Sequence, residues 1–224
     1  INSTITVGTS GKPGMLIADG VAFSSSSTTD HAIVFAYTSA GMLTDCTFDN
    51  VYVAIAEAAP TVAGCTFTNV DCPFTFRHTG ANPSLSNLKF GEGQVGCIGL
   101  ESTFSVSADF TLKNYSLGYR LLAAMTVSGC TFTVPKDTHI DLYGRNIMLG
   151  QSSKPARLVA DGAFFTNSGA NDQYVRFDYT SGGTLTGCTF DNVYLNIANG
   201  NPSVVEFPRN RQGHSQYERS GARR

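Results

Sequence analysis

The sequence has little charge, no long apolar run and no helical periodicity. Charged residues make up 14% of the 224 positions, and the formal net charge is −2. No apolar stretch reaches the roughly 18 residues that a transmembrane helix needs, so we predict no membrane span. Apolar residues alternate with a period of two, which is typical of half-buried strands. These features predict an all-β protein that does not bind nucleic acid.

A Cys-Thr-Phe motif occurs four times, each time with an aliphatic residue three positions before the cysteine. The copies begin at Cys46, Cys65, Cys130 and Cys188. Residues two apart in a strand face the same side, so we expect each Cys and Phe to point inward. The first two copies are 19 residues apart. That spacing is typical of one coil, a single turn of a solenoid.

A larger repeat includes several of these coils. Residues 7–62 align without a gap on residues 149–204, with 29 identities in 56 positions. We interpret this as an internal duplication within a domain that spans residues 1–205 and contains roughly eight coils. A β-sandwich is the alternative, but it does not require the same residue to recur at the same inward position.

The motif resembles a pattern found in the right-handed parallel β-helix superfamily, the pectin-lyase-like fold. That pattern has an aliphatic residue, a small residue or Cys three positions later, and then an inward Phe. The resemblance implies a right-handed parallel β-helix over residues 1–205. It implies no single function, because the same fold is used by lyases, hydrolases, tailspikes and adhesins.

Residues 206–224 differ from the rest of the chain. They lack the repeat and contain five of the ten arginines. We interpret this basic tail as vector-derived sequence, and the alternative is a native segment that caps the open end of the solenoid or binds polyanions.

The cysteines predict a buried ladder rather than a metal site. Four occupy the same inward position of the motif, where a free thiol behaves as a small apolar group. Cys72 and Cys97 lie outside the motif, and the sequence leaves their pairing open. No Cys-x-x-Cys or Cys/His spacing suggests zinc, and we expect no metal and no cofactor.

One predicted strand in the second half of the chain concentrates titratable side chains. With Ile140 and Leu142 inward, Asp137, His139, Asp141 and Tyr143 would project outward together. A His between two carboxylates is a candidate general base, and the alternative is a pair of metal ligands. A solvated sheet surface with ion pairs is the alternative interpretation.

The next predicted coils add further outward polar residues. Arg176 and Asp178 would extend the candidate catalytic patch, and Tyr174, Tyr194 and Asn196 are candidate ligand-binding residues. In the first copy of the duplication, Val34 and Ala36 occupy the positions of Arg176 and Asp178. The patch is therefore not a requirement of the repeat.

The leading functional prediction is an extracellular or cell-surface module that binds a polysaccharide or another glycan, as in an adhesin. A hydrolase or polysaccharide lyase that uses the outer-face patch is the second hypothesis, and a structural spacer is the third. The superfamily's known catalytic signatures are missing from the sequence. We also expect self-association through uncapped coil ends, whose backbone groups are unpaired.

Overall fold

The chain folds into two compact units of short parallel strands. The computed structural model describes residues 4–26, 31–94, 96–102 and 104–205, and the backbone of residues 217–219. The two units are Ile1–Phe104 and Ser105–Arg224. The described residues form no helix, and their sheets stack as a parallel β-solenoid of about eight turns. The all-β solenoid prediction is therefore confirmed.

Unit 1 distributes its strands over three parallel sheets, and successive strands join the three sheets in turn. The sheet orders are β1-β4-β7-β10-β13, β2-β5-β8-β11 and β3-β6-β9-β12. The strands are β1 (Ile5–Val7), β2 (Met15–Asp19), β3 (Ala22–Ser24), β4 (His31–Phe35), β5 (Ala40–Thr44), β6 (Thr47–Asp49), β7 (Val51–Ile55), β8 (Thr61–Ala63), β9 (Thr66–Thr68), β10 (Phe74–Phe76), β11 (Ser84–Ser86), β12 (Lys89–Phe90) and β13 (Cys97–Leu100).

Unit 2 repeats the three-sheet arrangement. Its strands are β14 (Phe110–Thr111), β15 (Gly118–Leu121), β16 (Met125–Val127), β17 (Thr131–Val134), β18 (His139–Asp141), β19 (Ile147–Leu149), β20 (Arg157–Asp161), β21 (Phe164–Thr166), β22 (Gln173–Phe177), β23 (Gly182–Thr186), β24 (Thr189–Asp191), β25 (Val193–Ile197), β26 (Asn201–Val205) and β27 (Tyr217–Arg219). We name its sheets after one residue each. They are the Arg157 sheet (β14-β17-β20-β23-β26), the His139 sheet (β15-β18-β21-β24) and the Arg176 sheet (β16-β19-β22-β25-β27).

The last strand lies within the basic tail. β27 pairs in parallel with β25, with Leu195 beside Tyr217 and Ile197 beside Arg219. Three residues of the tail therefore continue the Arg176 sheet. The rest of residues 206–224 lies outside the described part of the chain, and the origin of the tail stays a prediction.

The Cys-Thr-Phe motifs form the predicted interior ladder. Their phenylalanines are at most 4% exposed, and all four motif cysteines are free and buried. In unit 1, Phe48 stacks on Phe23 and on Phe67, with ring centroids 5.2 and 4.6 Å apart. In unit 2, Phe165 and Phe190 stack at 4.9 Å. Thiol donors also reach backbone carbonyls of the adjacent coil, as from Cys65 Sγ to Leu43 O at 3.3 Å.

The corners between strands use left-handed backbone. Gly64, Gly129 and Gly187, each directly before a motif cysteine, have φ of 68°, 70° and 57°. Asn50 and Asn192 follow the motif with φ of 55° and 57°. Glycine and asparagine adopt this region at low cost, so these residue types bend the chain at the same point in each coil.

Cys72 and Cys97 form a disulfide in unit 1, with their Cα atoms 4.9 Å apart. They are 25 residues apart in sequence and occupy neighbouring coils, because Phe74 pairs with Ile98 in the adjacent strand. The sequence left this pairing open, since neither cysteine belongs to the repeated motif.

Candidate functional site

The strand predicted to carry Asp137, His139 and Asp141 is shorter than expected. β18 contains only His139–Asp141, and Asp137 lies in the preceding turn with φ of 59°. Tyr143, expected to project from the same strand, lies beyond its end with φ of 47°. Left-handed backbone interrupts the extended strand at both places. The prediction that these side chains project from one strand is therefore wrong for Asp137 and Tyr143.

His139 is exposed and lies against an aromatic ring. Its imidazole stacks on Phe164 of the neighbouring strand, with ring centroids 4.3 Å apart and planes 8° apart. No ion pair joins His139 to a carboxylate within the described ranges. This arrangement does not support the interpretation of His139 as a base held between two carboxylates.

Asp141 is the centre of a hydrogen-bond network. Its carboxylate accepts from the Ser168 hydroxyl at 2.6 Å, from the Ser168 and Tyr143 backbone N–H groups at 3.0 Å, and from Arg120 Nε at 3.1 Å. Burial alone would raise the pKa of Asp141. The hydrogen bonds from Ser168 and Tyr143 and the Arg120 charge outweigh burial and hold the pKa below its ordinary value. Asp141 is therefore ionised, and its carboxylate connects its own coil to the coils of Arg120 and Ser168.

The remaining predicted site residues lie on a different sheet. Tyr174 pairs with Tyr194, and Arg176 pairs with Asn196, in the Arg176 sheet. The Arg176 Nε lies 2.8 Å from Asp178 Oδ2. The side-chain hydrogen bond with Asp178, opposed by desolvation, raises the pKa of the Arg176 guanidinium.

The predicted single patch is therefore split in two. The expected stacking of the Asp141 strand on the Arg176 strand is wrong, because β18 pairs with β15 and β21 whereas β22 pairs with β19 and β25. The structure brings Tyr174, Arg176, Asp178, Tyr194 and Asn196 together. It places His139 and Asp141 on another face of the solenoid.

A surface groove that the sequence analysis did not single out lies over the Arg157 sheet. Its volume is about 650 Å³. Polar side chains and glycines dominate its wall, with Arg157, Thr131, Thr184, Asn201 and Ser203 as the principal hydrogen-bonding side chains. Cross-strand pairing aligns Thr131, Arg157, Gly182 and Asn201 in one row and places Thr184 beside Ser203.

Most hydrogen-bonding groups of the groove are available to a ligand. Arg157 and Asn201 are exposed, and within the described ranges no ion pair engages Arg157. The one carboxylate of the wall, Asp109, already accepts the Thr131 N–H at 2.7 Å. Gly182 lies between Arg157 and Asn201 and has no side chain, and a Cβ added there would approach the Asn201 carbonyl oxygen to 3.2 Å. The groove therefore offers hydroxyls, an amide and a guanidinium around an open floor.

The duplication carries a signal that could have located this groove. The first copy has Met15, Ala40, Met42 and Ala59 where the second has Arg157, Gly182, Thr184 and Asn201. Met15 and Met42 are 71% and 47% exposed, so the same face of unit 1 is apolar. The inward residues of the two copies agree while these outward residues differ in polarity. A comparison restricted to outward positions would have identified the groove residues.

The described residues contain no group of three or more His, Cys, Asp or Glu side chains that could hold a metal ion. Within the same residues, no helix is long and apolar enough to span a bilayer. Comparisons with protein-family models, curated proteins and solved structures found no match to this chain.

Proposed function

We propose that this chain is a glycan-binding module of an extracellular or cell-surface protein, and that the groove over the Arg157 sheet is its binding site. The observation that carries the proposal is the row of hydroxyl, amide and guanidinium groups around an open floor. Polysaccharides present dense hydroxyls along an extended chain, and an elongated polar groove can satisfy them with several hydrogen bonds. A parallel sheet repeats such groups at regular intervals along the solenoid.

Two further features support the proposed extracellular location and the proposed superfamily. The Cys72–Cys97 disulfide favours an oxidising compartment, because disulfides are rare in reducing ones. The Cys-Thr-Phe ladder and the parallel solenoid favour kinship with the pectin-lyase-like superfamily. That kinship is part of the proposal and adds no activity to it.

A hydrolase or polysaccharide lyase that uses the outer-face residues is the alternative function, and two observations weigh against it. His139 and Asp141 lie on one sheet and Arg176 and Asp178 on another, and the Asp141 carboxylate is engaged by Ser168, Tyr143 and Arg120. A structural spacer is the alternative that the binding experiment addresses.

The test is binding to a panel of immobilised polysaccharides, including cellulose, xylan, mannan and polygalacturonate. We expect retention on at least one of them. A double variant, Thr184→Met with Asn201→Ala, introduces the residue types of the first copy and should abolish retention. The matched control, Met42→Thr, changes the equivalent face of unit 1 and should bind normally.

Two outcomes would contradict the proposal. If the unsubstituted chain is retained on no polysaccharide, the spacer interpretation is favoured. If the double variant binds as well as the unsubstituted chain, the groove is not the site, and Tyr174 and Tyr194 become the next residues to substitute.

A further inference from the structure

We infer that Tyr179 is the ring-stacking residue of this groove, the side chain on which a sugar ring of the bound glycan lies. The inference rests on the proposed glycan-binding function and adds a residue that the sequence analysis did not select. Aromatic faces carry partial negative charge and attract the weakly positive C–H groups on one face of a sugar ring. A polar groove alone holds a sugar by its hydroxyls, so an adjacent aromatic face supplies the missing apolar contact.

Tyr179 directly precedes Thr180, a residue of the groove wall. Ser181, which follows Thr180, donates its backbone N–H to the Asp178 carbonyl and accepts the Ala156 N–H at its hydroxyl. The Tyr179 side chain is 49% exposed. Among the described residues, no hydrogen bond or ring contact engages it. The Tyr179 ring is therefore accessible to a ligand in the groove.

The backbone at Tyr179 is costly for an L-residue. Tyr179 and Thr180 are consecutive left-handed residues, with φ of 50° and 60°. Glycine would adopt this conformation without the steric cost that Cβ imposes. The hydrogen bonds that stabilise this turn are made by the neighbouring residues Thr180 and Ser181. Thr180 Oγ1 donates to the Tyr179 carbonyl at 2.6 Å, and the Ala156 N–H donates to Ser181 Oγ at 3.0 Å. None of these contacts requires an aromatic side chain at position 179.

The first copy of the duplication repeats this corner. Tyr37 and Thr38 have φ of 53° and 59°, and Tyr37 is 48% exposed. Strict alternation from Phe35 would place Tyr37 inward, and the left-handed backbone turns it outward. The left-handed corner is therefore a property of the repeat, and what distinguishes Tyr179 from Tyr37 is the groove beside it. The faces beside the two tyrosines differ, with Met15 in unit 1 and Arg157 in unit 2.

The experiment measures binding of cellohexaose, xylohexaose and hexagalacturonate by titration calorimetry. For the oligosaccharide that binds, Tyr179→Ala should weaken affinity about tenfold, at the lower end of the loss seen when an aromatic ring that stacks on a nucleic-acid base is removed. Tyr179→Phe keeps the ring face and should bind within about twofold of the unsubstituted chain. Tyr37→Ala, which removes an equally exposed and equally strained tyrosine outside the groove, should leave the affinity unchanged.

A third variant separates binding from stability. Tyr179→Gly should lose affinity as Tyr179→Ala does, yet keep or raise the melting temperature because glycine relieves the left-handed strain. A fall of many degrees for Tyr179→Gly would assign the ring a structural role and overturn the inference.

The remaining outcomes distinguish this inference from the proposed function. Normal binding by Tyr179→Ala, with loss in the double variant Thr184→Met and Asn201→Ala, overturns the stacking role alone. Equal loss in Tyr179→Phe and Tyr179→Ala also overturns it, because the hydroxyl would then be the contact. If the unsubstituted chain binds none of the three oligosaccharides and no polysaccharide, both proposals fail.

Discussion

Phe48 and Phe67, 19 residues apart in sequence, stack face to face with ring centroids 4.6 Å apart and planes 9° apart. Both rings are fully buried, and their strands pair in exact cross-strand register. The pair shows how one coil supports the next. Each ring fills the space above its neighbour, so the loss of one ring leaves a cavity that two coils share.

Phe48→Ala should therefore lower the free energy of unfolding by about 3–5 kcal/mol, the usual cost of removing a buried aromatic ring. Denaturant unfolding followed by circular dichroism measures this loss. Phe23→Ala provides the control, because Phe23 is only half-buried and stacks on one side of Phe48. The loss of unfolding free energy in Phe23→Ala should be clearly smaller than in Phe48→Ala. Equal costs for the two variants would show that the stack is not the source of the stability.

The buried thiols should not react in the folded protein. Burial, with a smaller contribution from Cys46, raises the pKa of Cys65 from 9.0 to about 11. All four motif cysteines are buried, so thiol reagents should label them only after unfolding. Four rapidly labelled thiols in the native protein would contradict the interior ladder.

The same pKa shift predicts how stability changes in alkali. The folded-state pKa of Cys65 lies above its unfolded value, so the protonated thiol contributes stability that is fully present below about pH 9. This contribution should be lost as pH rises from about 9 toward 11. The loss should be absent in Cys65→Ala, measured by urea unfolding across that range. An identical pH profile in the variant would contradict the assignment.

Reduction of the Cys72–Cys97 disulfide should destabilise the protein. The bridge closes a loop between residues 25 apart, and such a loop is worth about 3 kcal/mol through the restricted unfolded chain. Thermal unfolding with and without reductant measures this contribution. The double variant Cys72→Ser with Cys97→Ser should melt at the reduced temperature and show no further effect of reductant. An unchanged melting temperature on reduction would argue that the two cysteines are unpaired in solution.

Asp141 should make the protein sensitive to acid. Its folded-state pKa is lowered from 3.8, so the ionised carboxylate contributes stability that is present above about pH 4 and lost as pH falls through the folded value. Asp141→Asn should cost about 1–3 kcal/mol at pH 7, through lost charge-assisted hydrogen bonds, and should flatten the acid limb of the stability profile. The control Asp137→Asn, in the exposed turn, should change neither the stability at pH 7 nor the acid limb of the stability profile.

The strand edges at the coil ends should drive self-association. Within the described part of the chain, each of the first three strands, β1, β2 and β3, has only one neighbour in its sheet. The late strands β24, β26 and β27 also have only one neighbour each. Unpaired strand edges recruit other strands. Sedimentation from low to high micromolar concentration should show a dimer or short oligomer. A strict monomer throughout would mean that the edges are covered.

The sequence alone determined the repeating interior of this protein. Cysteine and phenylalanine recur at one inward position, because a solenoid must fill the same space in each coil. Asn50 and Gly64 could likewise be placed at bends, since few other residue types adopt left-handed backbone cheaply. These are local properties, and a single sequence contains them.

Only the tertiary structure decided which outward residues are neighbours. Three sheets run through each unit, and the lengths of the turns decide which sheet a strand joins. Alternation places His139 and Arg176 outward, but it cannot show that they belong to different sheets. It also fails at Tyr37, where left-handed backbone reverses the direction of the side chain. The Arg157 groove likewise depends on β20, β23 and β26 lying side by side, which brings Arg157 and Asn201 together from positions 44 residues apart.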